Sequence, residues 1–292
     1  MEATMFEVSQ YTFVAAMVAL GVGLALYVVN VFGPRGVRAL SFNTGGTHET
    51  DSFASAMKTA GRYGTILSVN AFGFLTASII ARWIAAGHGP FSNMYEFSLA
   101  FAWGAMGIYL YFESQYHARS LALVVLPISL GMLIYATTVP DDIQPLVPAL
   151  QQDLLLTVHV AAAVVAYGAF AVAFGAAVLF LVQRKKSASW LPERTTLDEV
   201  GYRSVMIGFP MMALTIILGA VWAEIAWGRY WSWDPKETAA LVTLLMYGGY
   251  LHARVIRGWR GERSAYLLLL GFAATAFTYY GNYFLGGLHS YG

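Results

Sequence analysis

The chain contains no cysteine. A disulfide framework, a thiolate metal site and a role as a thiol–disulfide carrier are therefore excluded. Charge is nearly as scarce. Asp, Glu, Lys and Arg make up 11% of the 292 residues, where a soluble domain carries about 25%. So few charges cannot cover the surface of a water-soluble globule. Nor is there an excess of one sign: 17 Lys and Arg against 16 Asp and Glu leave a formal net charge of +1. A polyanion would find little to hold, and no nucleic-acid partner is expected. Strand-period alternation is missing too, which argues against a β-barrel. What the sequence has in abundance is apolar residues, 58% of the chain, far more than a disordered segment carries. These counts point to an all-α, polytopic membrane protein embedded in a lipid bilayer.

A helix needs about 20 mostly apolar residues to cross the hydrocarbon. Eight stretches read as transmembrane helices: 11–32, 63–86, 95–112, 120–138, 154–182, 204–226, 238–256 and 264–285. The first follows Glu2 and Glu7 with no basic residue before it and no clear cleavage site, so it reads as a retained span and not a signal peptide. Residues 1–62 then make a first transmembrane helix with its cytoplasmic loop, and 63–292 the main transmembrane domain. Of the 17 basic residues, 14 lie in four alternate loops, which hold Arg35, Lys58, Arg119, Lys185, Arg194, Arg257 and Arg263 among others. Such an excess marks the cytoplasmic side. With eight spans it places both termini outside. The polar stretches 41–58 and 187–200 read as mobile linkers, with a surface helix as the alternative for the second, which holds Pro192 and Glu193.

One outward loop does not read like a loop. It runs Trp227-Gly228-Arg229-Tyr230-Trp231-Ser232-Trp233-Asp234-Pro235-Lys236-Glu237. Part of it is explained by helix capping: Asp234 as N-cap, Pro235 at N1 and Glu237 at N3 form a capping box that starts the next span. An interfacial aromatic belt accounts for a Trp or two, but not for three Trp around a glycine. Flat aromatics with a glycine for close approach suit a large planar apolar ligand, whose anionic edge could meet Lys236 and the backbone N–H groups.

Of the six histidines, His48, His88 and His117 read as solvated loop residues. His159 lies about 35 Å from Val182 along its helix, at the outer surface, and His289 follows the last span, also outside. Each taken singly could be an interfacial hydrogen-bonder. Together, at the depth of the Trp loop, they could ligate a metalloporphyrin iron from both faces. His252 lies about 21 Å in from the outer face. It is either a span-capping residue that snorkels inward beside Arg254 or a functional intramembrane group. This chain offers it no second membrane-embedded histidine.

The segment Trp227 to Thr238 resembles the WWD signature of the haem-handling proteins of cytochrome c maturation. The Asp-Pro-Lys-Glu-Thr ending and the C-terminal Gly-Gly-Leu-His-Ser-Tyr-Gly resemble the CcsA (ResC) branch, and Gly87 to Glu96 is similar to that family's second outward loop. The resemblance implies a system II cytochrome c synthase (haem lyase) component that works with a CcsB (ResB) subunit. It takes haem b across the membrane and presents it at the outer site for thioether attachment to the Cys-X-X-Cys-His motif of an apocytochrome c. Carried over, His159 and His289 match the external iron ligands, and His252 matches the one transmembrane histidine of the CcsA part. The resemblance implies that Trp227, Gly228, Tyr230, Trp231 and Trp233 form a haem platform, with Asp234, Lys236 and Glu237 either orienting the loop or meeting the propionates. A bacterial plasma membrane and a nearby thioredoxin-like thiol reductant are also expected, and no general acid, base or nucleophile is assigned. The competing expectations are a haem-delivery protein of the CcmC or CcmF type, a haem-free proton-coupled transporter built on His252, and a structural respiratory subunit.

Overall fold

The structure, a computed structural model, describes residues 2–41, 47–143, 153–183, 190–280, 285 and 287, with side chains outside 34–58 and 153. His289 and the segment 144–152 lie outside the described residues, as do 42–46 and 187–189 of the two expected linkers and 184–186 just before the second. Eight α-helices make up the described chain: α1 (Glu2–Ser41), α2 (Thr47–Ala86), α3 (Met94–Tyr116), α4 (Ala122–Ala136), α5 (Asp153–Val182), α6 (Arg194–Trp227), α7 (Pro235–Val255) and α8 (Glu262–Tyr280). No strand occurs among the described residues. Five helical stretches are long and apolar enough to cross a membrane: Glu2–Gly33, Thr59–Ala86, Arg119–Ala136, Leu154–Val182 and Arg194–Trp227. The chain is a helical membrane protein. The helices α3, α7 and α8 fall outside that set. Polar residues interrupt two of them, Glu96 and Glu113 in α3 and Lys236, Glu237, His252 and Arg254 in α7.

The expected linkers are largely helix. Residues 47–58 are the first turns of α2, and 194–200 begin α6. Polar composition was a poor guide here, because a helix that projects beyond the hydrocarbon has no reason to stay apolar.

Successive helices run up and down. At one end, Gln10 and Arg82 both reach Asp141, and Arg82 pairs with Glu96 at 2.7 Å. At the other, basic end, Arg254 makes a bidentate bridge to Asp198 (2.7 and 3.0 Å), and Phe32 meets Trp190 at 5.9 Å. The Asp198 carboxylate also accepts the Gly261 N–H, so one side chain ties the start of α6 to the end of α7 and the approach to α8.

The α5 helix is the hub. Seventy-two per cent of its most apolar window is buried inside the bundle, against 28–44% for the other candidate spans. A helix surrounded by protein has no polar face to display, which is why its sequence is apolar all round. Close approach needs small residues: a Cβ on Gly168 would come within 2.7 Å of the Gly104 carbonyl on α3. Toward the basic end from the site described below, Phe170 stacks on Tyr247 with centroids 3.6 Å apart and planes 8° from parallel. Gly271 presses the opposite side of the same tyrosine, since a Cβ there would stand 2.8 Å from its Cζ.

Candidate functional site

A cavity opens at the end of the bundle away from the basic loops. It holds about 1060 Å³ of space free of protein atoms, counting its mouth. The α3 helix contributes Met94, Phe97 and Phe101, and α5 contributes Leu156, His159, Val160, Ala163 and Tyr167. From α6 come Thr215, Ile216, Gly219, Ala220 and Trp222, and from the following connection Tyr230 and Trp231. Lys236, Glu237 and Ala240 on α7 and Thr278 and Tyr279 on α8 close the wall. Its surface is mostly aromatic and aliphatic with a few convergent polar groups, the usual make-up of a ligand site.

Three helix starts and stops position these groups. Asn93 caps α3 by accepting the Glu96 N–H at 2.9 Å, which sets Phe97 and Phe101 one turn apart on the cavity side. Gly228, at φ +71°, ends α6 in the left-handed conformation open to glycine, and its N–H bonds the Glu224 carbonyl. The expected capping box of α7 is formed: Asp234 accepts the Lys236 N–H at 3.0 Å, and Glu237 accepts the Ser232 and Asp234 N–H groups at 2.8 and 3.2 Å. The Glu237 carboxylate is thus committed to shaping the loop.

His159 is held by a hydrogen bond of 2.9 Å between Nδ1 and the Thr215 carbonyl. A carbonyl can only accept, so Nδ1 carries the proton, and Nε2 keeps its lone pair for another partner. Such an outer contact fixes tautomer and ring orientation in metal-ligating histidines. Gly219 makes room for the ring: a Cβ there would lie 2.8 Å from Cε1. Lys236 sits on the same wall with its ammonium 5.7 Å from the Phe97 ring centroid. No hydrogen bond or ion pair reaches that ammonium among the described residues. Burial lowers its pKa from the ordinary lysine value, with the Asp234 carboxylate opposing the fall.

The structure therefore brings His159, Tyr230, Trp231, Lys236 and Glu237 into one cavity. It keeps others apart. Trp227 packs edge-on against Trp222 at 4.8 Å, Gly228 and Asp234 serve as helix caps, and Trp233 is 69% exposed. His252 is exposed in the last turn of α7, sixteen residues or about 24 Å from Lys236. His289 is outside the described residues, but Gly287 lies so close to Asp234 that a Cβ on it would overlap the carboxylate. Sequence reasoning missed Phe97, Phe101, Tyr167, Trp222 and Tyr279, because an aromatic on an apolar helix reads alike whether it faces lipid or a cavity. It also missed Thr215, which acts through a backbone carbonyl that every residue possesses.

Residues 91–289 match the profile of the family described as Cytochrome C assembly protein. The chain is 41% identical over 248 residues to a protein of Guillardia theta named cytochrome c biogenesis protein CcsA, covering 75% of this chain and 82% of that one. It is 37% identical over 272 residues to a protein of the same name from Synechococcus elongatus, covering 75% and 83%. Among solved structures, Cytochrome c Heme Lyase CcmF superposes with a TM-score of 0.62 at 15% identity. That match covers 94% of this chain and 46% of the larger one, and at such identity it speaks to the fold alone.

Proposed function

Starting from the fact that the chain belongs to the CcsA family of cytochrome c biogenesis proteins, we propose that its cavity is the outer haem site of a cytochrome c synthase. The observation that carries this reading is the pairing of His159 with Lys236. A histidine whose Nδ1 proton is already spent leaves Nε2 free for iron, and an ammonium in an apolar wall that no hydrogen bond or ion pair reaches among the described residues calls for an anion. Haem b supplies both the iron and the propionates. Trp231, Phe97 and Phe101 offer flat apolar walls to the macrocycle. His289 is the second axial ligand in this reading, supported by Gly287, two positions earlier, which lies against Asp234 at the start of α7.

Haem is the substrate, and its vinyl groups supply the electrophile. Each acceptor thiol adds across a vinyl C=C: an S–C bond forms, the thiol hydrogen ends on the neighbouring carbon, and no electrons leave or enter. The chain's own residues bind, orient and keep water out, and positioning alone is worth several kcal/mol of barrier. No thiol of its own is required, consistent with the missing cysteines. The eight helices cross a bacterial plasma membrane with both termini and the Trp loop outside, the exposed His252 completes a second, intramembrane haem site with a CcsB subunit, and a thioredoxin-like protein keeps the acceptor thiols reduced. The basic end supports that orientation, since it carries the positive charge of cytoplasmic loops.

Purified from haem-replete membranes, the chain is expected to show a Soret band. A colourless preparation overturns the proposal. Gly219→Ala tests the geometry more finely. The new methyl displaces the imidazole, so the Soret maximum shifts and haem occupancy falls, while thermal unfolding shows a loss of about 1–3 kcal/mol at most. An unchanged spectrum would mean that the ring is not held against iron.

A further inference from the structure

Trp231 faces the cavity and Trp227 packs on Trp222, whereas Trp233 turns 69% of its surface outward. It does so from a backbone with φ of +60°, in the left-handed region that bulky residues rarely adopt. The conformation is clamped. The N–H groups of Ser232 and Asp234 on either side both donate to Glu237, and the Trp233 carbonyl accepts the Thr238 hydroxyl at 3.3 Å. The ring meets Trp231 edge-on at 5.7 Å, so it stands beside the cavity wall and not within it. Tyr230, on the rim, is 61% exposed. Strained backbone held in place by its surroundings is a mark of functional segments, and exposed Trp and Tyr are the residues that anchor protein–protein contacts.

We propose that Trp233, with Tyr230, is the docking surface for the acceptor polypeptide, seating its Cys-X-X-Cys-His segment over the cavity mouth. This rests on the reading of the cavity as a haem site. Haem lodged among α3, α5, α6 and α7 reacts with thiols on a different chain, and that chain must press against the mouth for the two to meet. The rim offers it two aromatic faces and the exposed cation Arg229. An aromatic that merely marks the lipid interface needs no clamped left-handed backbone.

The test uses the full haem-loaded chain in phosphatidylcholine nanodiscs and a dye-labelled Cys-X-X-Cys-His peptide with both cysteines replaced by serine, so that binding stops short of reaction. Trp233→Gly removes the ring at a position where glycine suits the backbone, so the loop keeps its shape. Peptide affinity, read by anisotropy, is expected to fall about tenfold or more with an unchanged Soret band, while Trp233→Phe stays within about threefold of the parent. Equal affinity in Trp233→Gly, no peptide binding by the parent chain, or a Soret shift in Trp233→Gly would each overturn the proposal. So would quenching by a lipid-borne quencher, and not by peptide, of the emission that the parent has and Trp233→Phe lacks, the other seven Trp being common to both. A chain that takes up no haem yet still binds peptide through Trp233 would instead remove the haem reading and leave the docking surface standing.

Discussion

His159→Ala is expected to abolish holocytochrome c formation, by on the order of a hundredfold or more, since losing an outer contact to a ligating histidine already costs about 10–100-fold. Among the described residues no other imidazole lines the cavity, so nothing replaces Nε2 from the same wall. The fold should survive. The lost hydrogen bond is the single one from Nδ1 to the Thr215 carbonyl, and such a bond contributes about 1 kcal/mol net. Thermal unfolding of the variant should therefore stay close to the parent while its Soret spectrum changes. Free imidazole added to His159→Gly should restore part of the spectrum, because the space left between Thr215 and Gly219 has the shape of the missing ring. Full cytochrome assembly by either variant would refute the assignment of His159.

The second large effect is structural. Arg82 is fully buried and pairs with Glu96 at 2.7 Å, with its guanidinium 4.7 Å from the Tyr95 ring and a further bond to the Asp141 carbonyl. Glu96→Ala strands that cation and also frees the Ser92 N–H and hydroxyl, which both bond Glu96. Removing one partner of a buried pair costs about 3–5 kcal/mol. The damage should spread to the cavity, because Met94, Phe97 and Phe101 ride on the same first turns of α3. Replacing the pair together, Arg82→Met with Glu96→Leu, should cost less than Glu96→Ala alone, as apolar substitutes avoid the uncompensated charge. If thermal melts show the single and double variants equally stable, the pair is not carrying the load described.

What could be read in the sequence was what is decided locally. The Asp234-Pro235-Lys236-Glu237 box is written in four adjacent residues, and it forms as expected. Eight α-helices stand where eight apolar runs were read, but among the described residues five helical stretches are long and apolar enough to cross a membrane. His159 stood out because counting along its apolar run places it at the outer surface, level with the Trp loop and His289. What escaped notice depends on neighbours distant in the chain. Thr215 matters through geometry across 56 positions, and Phe97 or Tyr279 is told from a lipid-facing ring only by what stands opposite. Trp233 shows the same limit from the other side, since three Trp in seven residues gave no hint that one would turn away from the cavity.

The packing of Phe170, Tyr247 and Gly271 locks α5, α7 and α8 together on the basic side of the cavity. A rigid flat cargo coming from the basic end finds no straight bore between α5, α7 and α8. On the proposed haem reading, its road would lie along the flank of the bundle, past the exposed His252, to the mouth. Traffic would then be governed by whatever second protein walls that flank, and the rate of cargo delivery should respond to changes on the outer face of α7 more than to changes in the packed interior.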